Sequence, residues 1–93
     1  MKQYELTIIY HKDTSAERIE EIEEMIRKHG KIQNIEDDGV KRVAYPIRNQ
    51  ESGHFKFYNL TMEDSEPAKL SSELNITDET LRHLCVRVAE RRH

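Results

Sequence analysis

Between positions 3 and 10 apolar and polar residues take turns, with Tyr4, Leu6, Ile8 and Tyr10 on one parity and Gln3, Glu5, Thr7 and Ile9 on the other. A period of two predicts a half-buried strand. The run Thr14-Ser15-Ala16-Glu17 then reads as a capping box, in which the Thr14 hydroxyl and the Glu17 carboxylate close the first helical amides. A helix follows, with Ile19, Ile22, Met25 and Ile26 on one stripe and Gly30 expected as its left-handed stop. From Lys31 to Ile47 the chain reads extended, with Asp37-Asp38-Gly39 as a bend or bulge. Pro46 lies in this run and has no amide hydrogen for a ladder, so the strand should lie at an edge or end there. Residues 49–53 read as a turn and residues 54–62 as a third strand rich in aromatics. A second helix is expected to start near Ser65 to Pro67 and to bury Leu70 and Leu74. After a turn at Thr77 to Thr80, a last strand runs from about His83 to Ala89, with Leu84, Val86 and Val88 on one side.

The order strand, helix, strand, strand, helix, strand, joined by right-handed crossovers, makes two split β-α-β units. It predicts an α+β, ferredoxin-like fold (βαββαβ): a four-stranded antiparallel sheet with both helices on one face. Strand order 4-1-3-2 would place the second strand at an edge, where Pro46 is tolerated. Ninety-three residues suit one domain, 1–93, and leave no room for two cores.

Composition changes this picture little, but the distribution of charge does. Apolar and charged residues each make up 35% of the chain, so the core is lean and the surface heavily ionised. The net charge of −3 conceals a division. Residues 13–38 and 63–79, mostly helix, hold 15 acidic and 5 basic side chains, whereas the remainder, mostly strand, holds 3 acidic and 10 basic. Glutamate is common on helix surfaces for reasons of propensity alone. The alternative is a domain with an acidic side and a basic side, the latter facing phosphate. No stretch is long and apolar enough for a membrane span, and Met1-Lys2-Gln3-Tyr4-Glu5 lacks the apolar centre of a signal peptide. With one cysteine, Cys85, no internal disulfide can form, and a cytoplasmic location is expected.

On the third strand, Tyr58, Leu60 and Met62 share one parity and form the expected core set. Phe55 and Phe57 then fall on the open face, as does Ile9 of the first strand, which suggests a protein partner or stacked bases. Long charged side chains draped over them would be the bland alternative. The same topology hosts the RNA-recognition motif, but His54 disturbs the aromatic spacing and the matching first-strand aromatic is absent. Lys41, Arg42 and Arg48 on the second strand, Lys56 on the third, and Arg82, His83 and Arg87 around the fourth are candidate phosphate contacts. The five histidines are scattered, no nucleophile–base spacing or glycine-rich phosphate cradle occurs, and Cys85 among apolar neighbours reads as an inert thiol. Neither an enzyme, a metal site nor a cofactor is expected.

The run Gly39-Val40-Lys41-Arg42-Val43-Ala44-Tyr45-Pro46-Ile47, followed by Gly53-His54-Phe55 and Leu81-Arg82-His83-Leu84, resembles the bacterial small-subunit ribosomal protein six family. The resemblance spans the chain, beginning with Met1-Lys2 and Tyr4-Glu5. It implies a structural ribosomal protein of the cytoplasm that binds the central domain of small-subunit ribosomal RNA as a heterodimer with small-subunit ribosomal protein eighteen. RNA-facing positions carried over from the family are Lys2, Tyr4, Lys41, Arg42, Arg82 and His83. Phe55, Phe57 and Ile9 are candidates for the protein contact on burial grounds alone. Some relatives have a C-terminal extension, and a role resting on one is not expected of a sequence ending at His93. Others have an aromatic residue where His54 stands. A reading of another class is a stand-alone module that homodimerises, or binds single-stranded nucleic acid or a small ligand, through the open sheet face.

Overall fold

The computed structural model describes residues 1–47 and 50–88, with side chains described for all of these except 44–47. The elements are β1 (Lys2–Tyr10), α1 (Ala16–Arg27), β2 (Gly30–Ile47), β3 (Gln50–Met62), α2 (Glu66–Asn75) and β4 (Thr80–Arg87). The strands form one antiparallel sheet in the order β2-β3-β1-β4, so the expected ferredoxin-like topology is the observed one, with β2 at an edge.

Register decides what each side chain meets. On β1, Tyr4, Leu6, Ile8 and Tyr10 point toward the helices and are buried, as the alternation predicts. Opposite them on β3 stand Leu60, Tyr58, Lys56 and His54, which therefore share the covered face. Ile19, Ile22 and Ile26 of α1 and Leu70 and Leu74 of α2 close the core over this face. Ile32 and Ile35 of β2 and Cys85 of β4 pack at its margins. The His29 ring, just beyond α1, joins the two helices by lying between Glu66 (Nδ1–Oε1 2.9 Å) and Glu73 (Nε2–Oε1 2.8 Å).

Three local expectations need correction. The helix cap is Ser15, whose hydroxyl accepts from the Arg18 amide at 3.1 Å, while the Thr14 hydroxyl is buried without a partner. Gly30 is not left-handed; it opens β2, and a side chain there would collide with Met62 and the Thr61 carbonyl. The segment 50–53 is not a turn but the start of β3, paired with Ile47, Arg42 and Lys41. The bend at Gly39 is where the sequence puts it. The β2–β3 register shifts between Asp37 and Gly39, and Gly39 has φ +75°, which suits a residue without Cβ.

Candidate functional surface

The open face of the sheet carries the odd-numbered residues of β1 and β3. Ile9 lies opposite Phe55, and Thr7 opposite Phe57, both phenylalanines being half-buried. β4 extends the patch: Leu84 pairs with Thr7 and Val86 with Glu5, and the two residues are 55% and 49% exposed. Ile9, Phe55, Phe57, Leu84 and Val86 thus form an apolar shelf of a kind that marks interaction sites on soluble proteins. Gly53 is part of the construction, because a Cβ there would strike Ile9 and approach the Tyr10 carbonyl at 3.2 Å. Leu84 and Val86 are members that alternation on β4 groups together without saying which face they take. Only pairing with β1 shows that His83, Cys85 and Arg87 turn toward the helices instead.

The basic residues do not form one side. Lys41 pairs with Gly53, and Arg82 with Ile9, so both stand on the open face at the end of the sheet near the β2–β3 hairpin. Lys41 is exposed and lies 3.1 Å from Asp38. Arg42, exposed at the same end, pairs with Ser52 on the other face. Lys2 and Arg87 are exposed at the far end of the sheet, opposite Met62 and Tyr4. Arg48 lies outside the described residues.

Lys56, Tyr4 and His83 are engaged within the molecule. Lys56 is on the helix-covered face and donates to buried Glu23 of α1 at 2.6 Å, its side chain only 12% exposed. Tyr58 donates to the same carboxylate oxygen at 2.8 Å and accepts a hydrogen bond from the Tyr10 hydroxyl at 2.8 Å, so four side chains share one enclosed network. Burial pushes the Tyr10 and Tyr58 hydroxyls far above their ordinary range, which keeps both as neutral donors. Tyr4 is buried, with its hydroxyl 3.5 Å from Asp64. His83 is within 2.8 Å of the Ser71 hydroxyl, and partial burial holds its ring below the usual histidine range, uncharged at neutral pH. These placements differ from an exposed basic strip because β3 and β4 alternate. Residues two apart share a face, and the even positions of β3 and odd positions of β4 are the covered ones.

Among the described residues no group of three or more His, Cys, Asp or Glu side chains is arranged to hold a metal ion, and no helix is long and apolar enough to cross a membrane. Burial raises the Cys85 thiol above its ordinary range, which makes it a poor nucleophile.

The fold and this surface define a ferredoxin-like α+β protein whose distinctive feature is a partly exposed apolar sheet face, bordered by cations. Comparison with known proteins narrows the class. The sequence matches the family description "Ribosomal protein S6" over residues 3–87. It is 28% identical over 94 residues to small ribosomal subunit protein bS6 of Alkaliphilus metalliredigens, covering 97% of this chain and 100% of that protein. It is 34% identical over 90 residues to the protein of the same name from Ruthia magnifica, covering 92% and 80%. In structure it resembles 30S ribosomal protein S6 of Thermotoga maritima, with a TM-score of 0.83 at 22% identity over 94% of this chain and 87% of that one. The chain belongs to the ribosomal protein S6 family. That family is structural rather than enzymatic, and its place is the small ribosomal subunit.

Proposed function

We propose that the chain binds the central domain of small-subunit ribosomal RNA in the cytoplasm, and does so as a heterodimer with small-subunit ribosomal protein eighteen. The observation that carries this reading is the pairing of an apolar shelf, half-buried at Ile9, Phe55 and Phe57 and exposed at Leu84 and Val86, with exposed cations at its border (Arg82, Lys41). The shelf takes the protein. Lys2, Lys41, Arg42, Arg82 and Arg87 take phosphate oxygens, through contacts that position an RNA backbone without reading its sequence. Tyr4, Lys56 and His83 serve the fold and are left out of the RNA contact, because their polar groups are bonded inside the molecule. A chain of net charge −3 should have low RNA affinity alone and gain it when a partner supplies further contacts.

The test is a filter-binding titration of a central-domain rRNA fragment, with and without the partner protein. Binding should be weak alone, cooperative with the partner and reduced by added salt. Failure to bind either the fragment or the partner–RNA complex at low salt would sink the proposal. A stable homodimer in light scattering that ignores the RNA would instead support self-association through the same shelf.

A further inference from the structure

The two edges of the sheet are built differently. β2 is a guarded edge: its pairing with β3 shifts register at three places, between Ile32 and Asn34, Asp37 and Gly39, and Arg42 and Ile47. Along it stand Lys31, Glu36, Asp37, Asp38, Lys41, Arg42 and Pro46, the bulges, charges and proline that keep an edge from pairing with another chain. β4 is guarded only near its ends, by one register shift between Ile9 and Tyr10 of β1 and by Arg82 and Arg87. Its pairing with β1 is regular from Tyr4–Arg87 to Ile9–Arg82, and the window His83-Leu84-Cys85-Val86 carries no acidic, Lys or Arg side chain.

The free backbone groups of this edge follow from the ladder. The Val88 amide donates to the Gln3 carbonyl at 2.9 Å, so backbone groups of even-numbered β4 residues face β1. The amides and carbonyls of His83, Cys85 and Arg87 therefore face outward, and β4 ends the strand order among the described residues. Three residues thus offer an open ladder beside the exposed side chains of Leu84 and Val86.

We propose that the β4 edge receives an extended segment of the partner protein as a fifth strand, uncharged over about four residues and apolar where it meets Leu84 and Val86. This rests on the protein-partner half of the function proposed above and adds its mode of attachment. A second copy is the poorer occupant. Joined edge to edge it would lengthen the sheet and leave Ile9, Phe55 and Phe57 as they are, whereas the partner proposed to lie on the shelf meets both surfaces at once.

The experiment is amide hydrogen exchange on the full labelled chain, alone and saturated with small-subunit ribosomal protein eighteen. The His83, Cys85 and Arg87 amides should exchange at least roughly tenfold more slowly in the complex, with outward amides of β2 unchanged. Cys85→Pro, which removes one outward amide and no β1 bond, should weaken the complex roughly tenfold, while Cys85→Ala leaves it within about twofold. If Cys85→Pro fails to fold, the exchange measurement on the unaltered chain still decides. A complex that leaves the three amides unprotected overturns the fifth strand and spares the partner reading. Absence of any complex overturns both. Concentration-dependent protection in the chain alone would assign the edge to a second copy, against this proposal.

Discussion

Ile8 and Ile9 are neighbours of the same type on the same strand, and they belong to different worlds. Ile8 is fully buried among the helices, and Ile9 lies on the open face opposite Phe55 and Arg82. On the face of Ile8 apolar contacts with the helices close the core, and Glu23, Lys56, Tyr58 and Tyr10 are bonded to one another. The face of Ile9 carries apolar side chains that are only half-buried (Ile9, Phe55, Phe57) or exposed (Leu84, Val86). Comparable apolar side chains therefore stabilise the fold on one face and remain available for association on the other, and substitutions should separate the two roles.

The largest expected effect is on the covered face. Glu23→Ala would leave the Lys56 ammonium and Tyr58 hydroxyl enclosed without their acceptor, and loss of one partner of a buried pair typically costs about 3–5 kcal/mol. Urea unfolding would show this as a lowered midpoint at constant slope. Replacing Glu23 and Lys56 together by Met should restore most of the loss, and a double variant as unstable as the single one would contradict the network. Next comes the isoleucine pair itself. Ile8→Ala should cost about 2–5 kcal/mol. Ile9→Ala should cost about 1 kcal/mol or less and weaken partner binding several-fold. Equal stability losses would erase the distinction between faces. Phe57→Ser sharpens the same contrast: thermal unfolding should move by a few degrees at most, whereas affinity for the partner should fall roughly tenfold.

The smallest effects are those of pH. Partial burial depresses the His83 pKa below 6.5, so the folded state binds its proton less well than the unfolded state. Its contribution to stability is complete above about pH 6.5 and is lost as pH falls through the depressed value, because the unfolded chain then gains the proton first. His83→Gln should flatten the stability profile just below pH 6.5, and an unchanged slope would mean that another group titrates there. Glu66, held below the ordinary carboxylate range by its hydrogen bond to His29, adds a second loss below about pH 4.5, again on the acid side.

Much of the fold was legible from spacing alone. The period of two over Tyr4 to Tyr10 named the buried side of β1, and the parity of Tyr58, Leu60 and Met62 placed Phe55 and Phe57 on the open face. Gly39 and Pro46 marked β2 as a bent edge strand. The surface was legible only in part. Leu84 and Val86 alternate like core residues, and nothing in β4 itself says that Cys85 and His83 face the helices. Lys56 reads as a solvent cation on an aromatic strand, and Glu23 as one more surface carboxylate in an acidic helix. They meet because α1 packs on the sheet face that Lys56 shares, a contact between residues 33 apart in sequence.

The sequence by itself determined the element order, the parity of each strand and the residues able to form a core, because side-chain direction repeats locally at 2 or 3.6 residues. Only the tertiary structure decided which parity of β4 is covered and which cations are exposed rather than bonded inside the molecule. Those depend on the register between strands and on where the helices land, so the same alternating apolar residue can be core on one strand and contact surface on the next.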